Sequence, residues 1–146
     1  QTAREIREVI GLLPKHADAV QKFRERLAGE GVDNATAERR AARYADSLLR
    51  YRAKNIARTE TLESSNSGQQ KLWESAKAQG YLDPERTRRV VIVTPDDRLD
   101  LEICEPLDGV EVGLDEPVET TAGPKMNPPF HPQCRCAMGL TFGDRE

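Results

Sequence analysis

The stretch RRVVIVT, residues 88–94, marks the point at which the chain changes from a helical to an extended pattern. Its short run of β-branched residues is typical of a strand, and a Pro-Asp turn signal follows it. Two further strand candidates come later, VEVGL at 110–114 and CAMGLTF at 136–142. Since long segments rich in Pro, Gly and Thr separate them, the chain after residue 85 is predicted to form a small, loop-rich β unit.

Upstream of this strand the apolar residues recur at helical spacing. A first helix is predicted to end at Pro14, and a second, over 17–31, stops at Gly29 and Gly31. A long third helix is capped by Asp33 or Asn34, and SNSG at 65–68 is a candidate interruption before a last helical segment ends at Gly80. The predicted fold class is therefore α+β, with a helical N-terminal half packed on the β unit.

Composition limits the class of protein. The chain has 146 residues, 32% of them charged and 37% hydrophobic, which favours one compact domain with a helical extension. Since there is no apolar run of about 18 residues, no membrane span is expected. No secretory signal is recognisable, and because the sequence starts at Gln1 within a helical pattern, we expect a fragment of a longer protein.

Charge is distributed unevenly along the chain. Residues 1–60 carry 13 Lys/Arg and 9 Asp/Glu, a net of +4, whereas residues 61–146 carry 9 and 16, a net of −7. Solvated helix faces with interspersed opposite charges are the favoured interpretation of the basic half. Contact with nucleic acid is the alternative, although aromatic residues are not interleaved with the basic ones.

The sequence PPFHPQCRC, residues 128–136, concentrates possible metal ligands on a stiff loop, because its three prolines exclude a helix interior. Together with Cys104 it offers three thiols and one imidazole, a ligand set that suits tetrahedral zinc. The C-x-C spacing is tighter than usual for zinc sites, so three alternatives stay open. They are free buried cysteines, a disulfide from Cys104, and a Cys–His nucleophile. An odd cysteine count argues against a disulfide framework.

Polar residues follow Ile56 on the apolar face of the third helix. Thr59, Glu60 and Glu63 lie at i+3, i+4 and i+7 from it, so they are expected to share its face. A hydrogen-bonded network with Arg58 is favoured over two alternatives, a catalytic carboxylate and simple solvent exposure. The acidic run that begins at Asp96 is expected to cap turns. Signatures such as GxxxxGK[ST], HExxH and GxSxG are absent from the sequence.

The order of these motifs resembles the phage head-morphogenesis family, the phage Mu F-like minor head proteins. The motifs are IARTET at 56–61, SNSG at 65–68, PDDR at 95–98, C-x-x-LDG at 104–109 and PPxHPxCRC at 128–136. The resemblance covers roughly residues 45–140, and it implies a head-morphogenesis domain over 45–146. Residues 1–44 would then be a helical extension that contacts the portal or capsid.

What the resemblance implies is a structural protein of a tailed phage or prophage rather than an enzyme. Such a protein associates with the portal and capsid proteins, enters the procapsid in few copies, is made in the bacterial host cytoplasm, and is linked to the fate of DNA. No small-molecule substrate is expected. The rival hypothesis is a metal-dependent hydrolase or toxin-associated domain that uses the Cys/His/acidic cluster.

The resemblance also implies roles for individual residues. The helix motif supplies Arg58, Thr59 and Glu60, and the acidic turn supplies Asp97 and Arg98, all as a structural polar network. A structural zinc ion is expected at Cys104, His131, Cys134 and Cys136. Some members carry a second cysteine shortly before the position of Cys104, where this chain reads LDLEI. The zinc set would therefore be Cys₃His.

Overall fold

The computed structural model describes residues 3–95 and 100–143. Three helices come first, α1 (Ala3–Val9), α2 (Pro14–Gly29) and α3 (Asn34–Ala78). Three strands follow, β1 (Thr87–Ile92), β2 (Glu111–Gly113) and β3 (Ala137–Phe142), with a short 3-10 helix at Glu105–Leu107. The predicted α+β class is confirmed. None of these helices combines the length and apolar character of a membrane-spanning segment.

The chain forms two compact units, Gln1–Ala57 and Arg58–Glu146. The predicted division at 44/45 stays a prediction. In the first unit, the buried apolar side chains within the described residues are Leu27 and three alanines, Ala37, Ala41 and Ala53. This unit therefore has a very small core of its own.

Helix boundaries follow local signals. Pro14 does not end the first helix, which stops at Val9; instead it is the first residue of α2, where a missing N–H has no cost. Asp33 caps α3, because its carboxylate accepts a hydrogen bond from the Thr36 N–H at 2.9 Å. The same bond lowers the pKa of Asp33. Gly80, with φ of 77°, stands just beyond the C-terminal end of α3 and adopts the left-handed conformation common there.

The SNSG segment does not interrupt α3, which is continuous from Asn34 to Ala78. Serine and glycine lower helix propensity by up to about 1 kcal/mol each, which tertiary contacts can outweigh. Here Asn66 is buried, and its amide donates to the Leu62 carbonyl at 3.0 Å and to the Pro128 carbonyl at 3.2 Å. A loop that lies 62 residues further along the chain thus stabilises the helix at its weakest point.

The sheet is antiparallel, with β1 between β2 and β3. Thr87, Arg89 and Val91 of β1 are buried, so this alternate set faces the core. Arg89 pairs with Val112 on one side and Leu140 on the other. The core cluster of the second unit combines residues of α3, the 3-10 helix, strands β1 and β3, and the loops. Its members are Trp73, Val91, Cys104, Leu107, Val118, Phe130, Cys134, Cys136 and Met138.

Candidate metal centre

Three cysteines meet inside the second unit. Cys104 precedes the 3-10 helix, and Cys134 and Cys136 precede β3. Their sulfur atoms all lie within 4.8 Å of one another, and the Cys104 and Cys134 sulfurs are 3.9 Å apart. Each residue is at most 3% exposed. All three are free cysteines, so the cluster could hold a metal ion.

Asp100 positions Cys104. Its carboxylate accepts hydrogen bonds from the N–H groups of Glu102 at 3.0 Å and Ile103 at 2.8 Å. Its carbonyl accepts one from the Cys104 N–H at 2.9 Å. These bonds form an Asx turn that begins at Asp100, and the turn brings the Cys104 side chain into the core. Asp100 thus caps a turn as predicted. The Asp108 carboxylate instead accepts a bond from the Val93 N–H at 3.0 Å, 15 residues away in sequence, so it links its turn to the residue after β1. Asp96 lies outside the described residues.

A tight turn positions Cys134. The Cys134 N–H donates to the His131 carbonyl at 3.1 Å, with Pro132 and Gln133 at the two central positions. Gln133 has φ of 66°, so the arrangement is that of a type II turn, with proline first and a left-handed residue second. Two residues on, the Cys136 N–H donates to the Cys134 sulfur at 3.4 Å. The C-x-C spacing thus brings both sulfurs to one side of the loop.

The left-handed residue of this turn provides a test of its geometry. We expect Gln133→Gly to raise the free energy of unfolding by about 1 kcal/mol, because glycine has no Cβ to clash at positive φ. The matched variant Gln69→Gly, in the interior of α3, is expected to lower it by about 1 kcal/mol. Urea unfolding followed by circular dichroism measures both. Equal losses in the two variants would contradict the assigned turn.

His131 lies on the same loop but is not part of the three-sulfur group. Its side chain is half-buried, and Nδ1 is 2.8 Å from the Pro132 carbonyl oxygen. If Nδ1 carries the proton and donates to that carbonyl, Nε2 keeps its lone pair free. This is the arrangement usual for a metal-binding histidine, whose second nitrogen donates to a backbone carbonyl. The place of His131 among the ligands stays a prediction.

The three thiols differ in acidity. The hydrogen bond from Cys136 lowers the pKa of Cys134 to about 5, helped by backbone N–H groups, although burial opposes this. Burial raises the pKa of Cys104 to about 11. The bond to Cys134 also raises the pKa of Cys136, followed by the effect of burial. Without a metal, therefore, one thiolate at Cys134 is stabilised by its neighbours and the other two sulfurs keep their protons.

A second polar centre, which the sequence analysis missed, surrounds Arg89. This side chain is fully buried. Its Nη1 donates to the Gln70 amide oxygen at 2.9 Å and to the Met126 carbonyl at 2.8 Å, and Nε donates to the Gly113 carbonyl at 3.2 Å. The Asn127 amide oxygen at 3.3 Å and the Glu116 carbonyl complete the set of acceptors. These acceptors come from α3, β2 and the loop between β2 and β3.

Helix α3 contributes two more inward-facing amides. Gln70 is buried, and its amide nitrogen donates to the Leu114 carbonyl at 3.2 Å. Asn66 binds the Pro128 carbonyl, as described above. With Leu62 and Trp73 these residues form one face at helical spacing. The spacing can be read from the sequence, but two of its four positions hold the polar residues Asn66 and Gln70. The apolar pattern therefore did not predict that this face is buried.

The predicted polar network has only part of its members in the described residues. Arg58 and Thr59 are half-buried, and Glu60 is exposed. Within the described residues, Nη1 of Arg58 is buried and has no hydrogen-bond partner. Since Glu60 and Glu63 are exposed, the expectation that they share a buried face is wrong; that face is formed by Leu62, Asn66, Gln70 and Trp73. Asp97 and Arg98 lie outside the described residues, so the network itself stays a prediction.

Comparison with known proteins adds one finding. A family model described as Phage Mu protein F like protein matches residues 18–139. The match extends over most of the chain, includes all three cysteines and His131, and confirms the resemblance predicted from the motif order. No curated protein and no solved structure matches the chain.

Proposed function

Because the chain belongs to the family of phage Mu protein F-like proteins, which supports a role in phage head morphogenesis, we propose that it is a minor structural protein of a tailed-phage or prophage head. In this proposal it associates with the portal and with capsid proteins inside the procapsid, after synthesis in the bacterial host cytoplasm. Contact with packaged DNA belongs to the same proposal. The family match over residues 18–139 is the observation that carries it.

The cysteine cluster is proposed to hold a structural zinc ion. Zinc–sulfur bonds of about 2.3 Å at tetrahedral angles require sulfur–sulfur distances of about 3.8 Å. The Cys104 and Cys134 sulfurs, 3.9 Å apart, fit this requirement. Thiolates are soft ligands that favour zinc over calcium or magnesium. Cys104, Cys134 and Cys136 would hold the ion, with Nε2 of His131 as the fourth ligand.

Burial of the cluster favours stabilisation over catalysis. Each cysteine is at most 3% exposed, so a substrate has little access to the sulfurs. Four protein ligands around zinc describe a structural site, whereas a catalytic site keeps a position open for water. The ion would fasten the loop before β3 to the turn before the 3-10 helix. The hydrolase alternative therefore gains no support from the geometry.

Metal binding is expected to displace two thiol protons at pH 7. Cys134, with its pKa lowered to about 5, is already a thiolate at this pH. Cys104, with its pKa raised to about 11, and Cys136, with a pKa raised further, each lose a proton when they bind the ion. A titration of metal-free folded protein with zinc in the presence of a pH indicator measures the number of protons released per ion bound. Release of three protons would show that Cys134 starts as a thiol.

The structural role is tested on phage particles. Mass spectrometry of purified procapsids and virions is expected to find the protein in few copies, protected from added protease until the heads are opened. Affinity capture of the portal protein from infected or induced cells is expected to retain it. The proposal would be overturned if wild-type heads never contain the protein and if heads made after deletion of the gene assemble, package DNA and infect normally.

A further inference from the structure

A groove on the first unit combines aromatic and basic side chains. It is lined by Ala19, Lys22, Phe23 and Arg26 of α2 and by Tyr44 of α3, is open to solvent, and has a volume of about 510 Å³. The Phe23 and Tyr44 rings meet at a centroid distance of 5.1 Å and a tilt of 50°. The Arg26 guanidinium lies 5.1 Å from the centre of the Phe23 ring. An aromatic floor thus lies beside two cations.

The floor of the groove is apolar surface that the first unit does not bury. The buried apolar side chains of this unit, within the described residues, are one leucine and three alanines. Phe23 and Tyr44, which are much larger, stay half-buried. Aromatic side chains contribute the most when they are fully covered. A partner that covers these two rings would therefore supply contacts that the unit lacks on its own.

The charges around the groove determine which partner fits. Lys22 and Arg26 are exposed, and among the described residues none that lines the groove is acidic. Arg26 has one ion pair, to Glu30 at 3.6 Å on the surface of the same helix, where such pairs are weak. Lys22 has no ion pair within the described residues. Residues 1–57 contain 12 Lys/Arg and 8 Asp/Glu, a net of +4, so the whole unit attracts negative charge.

We propose that this groove binds an acidic amphipathic helix of a protein partner. One aliphatic or aromatic side chain of that helix would pack on Phe23 and Tyr44, and carboxylates one turn to either side would face Lys22 and Arg26. The proposal rests on the proposed function only for the identity of the partner, which would be a component of the phage head. The acidic and amphipathic character of the ligand is inferred from the side chains that line the groove.

Designed peptides test the groove without the natural partner. Three 20-residue helical peptides serve as probes: one with leucines on one face and glutamates on the other, the same with lysines for the glutamates, and the first with alanines for the leucines. Titrated into the ¹⁵N-labelled full chain, the first peptide is expected to shift the amide signals of the residues that line the groove. The other two are expected to bind at least tenfold more weakly. The lysine peptide lacks the carboxylates that face Lys22 and Arg26, and the alanine peptide lacks the large apolar side chains that pack on the rings.

Protein variants complete the test. Lys22→Glu is expected to weaken binding of the acidic peptide about tenfold. Lys54→Glu, the same charge change at another exposed lysine of the same unit, is expected to weaken it less than twofold. Equal losses in the two variants, or equal binding of all three peptides, would overturn the proposal. Displacement of the acidic peptide by a lower concentration of duplex DNA would also overturn it. So would self-association of the chain that blocks peptide binding, as measured by sedimentation. Since the peptides contain no phage protein, a negative result rejects the groove proposal alone. The role in phage heads is tested separately on phage particles.

Discussion

Replacing Cys104 with serine is expected to abolish stoichiometric zinc binding and to lower the melting temperature by about 10 °C. Cys104 supplies one of three sulfurs that meet within 4.8 Å, and it is the one contributed from outside the loop that precedes β3. A ligand present at about a thousand times its dissociation constant stabilises a fold by about 4 kcal/mol. In a chain of this size, 1 kcal/mol corresponds to about 2–4 °C. Loss of zinc from the proposed site would therefore be a large effect.

Two measurements separate the metal from the side chain. Elemental analysis of purified protein gives the zinc content, and thermal unfolding is followed with and without a chelator. The wild type is expected to lose most of the 10 °C on chelation, whereas Cys104→Ser is expected to be insensitive to the chelator. A metal-free wild type that melts at the same temperature as the zinc-treated protein would refute the structural zinc site.

Replacing Arg89 with methionine is expected to destabilise the second unit by about 3–5 kcal/mol, because several buried acceptors lose hydrogen bonds from a charged donor at once. Arg89 is fully buried and donates to acceptors on α3, β2 and the following loop. Methionine fills part of the volume but leaves those carbonyls unpaired in the core. Arg89→Lys is expected to be nearly as damaging, because an ammonium group cannot reproduce the fork of the guanidinium donors.

The neighbouring arginine provides the control. Arg88 is exposed, and its ion pair with Glu116 is 3.7 Å long and largely solvated. Arg88→Met is therefore expected to change the free energy of unfolding by less than about 0.5 kcal/mol. Urea unfolding of both variants measures the difference. If the two arginines prove equally replaceable, the network around Arg89 does not stabilise the fold.

The two centres explain how a long connection stays ordered. The segment from 114 to 136 between β2 and β3 has little regular structure beyond the bridge between Val118 and Lys125. Loops of this length without secondary structure are uncommon in compact domains and need other anchors. Arg89 holds its beginning through the Glu116 carbonyl and its middle through the Met126 carbonyl. The cysteine cluster anchors its end, so the variants of Arg89 and Cys104 probe different parts of the same loop.

Much of the fold was readable from the sequence, because its signals are local. Helical periodicity predicted α2 and α3, and Asp33 and Gly80 marked the ends of α3 through capping chemistry that involves only near neighbours. The β-branched run at 88–94 located the central strand to within two residues. The residue types of PPFHPQCRC, with Cys104, indicated which side chains could bind a soft metal before any distance was known.

Only the tertiary structure decided which polar groups are buried. Arg89 stands in a strand and Asn66 and Gln70 on a helix, and all three are buried although solvent exposure is the usual expectation for polar side chains there. Glu60 and Glu63 show the opposite error, because their spacing from Ile56 predicted a buried face and they are exposed. A polar side chain can be buried at low cost only where the core supplies hydrogen-bond partners for it. Here those acceptors are carbonyls up to 62 residues away, at Gly113, Leu114, Met126 and Pro128. Apolar periodicity is a property of neighbouring residues, whereas satisfaction of a buried donor depends on where distant segments of the chain meet.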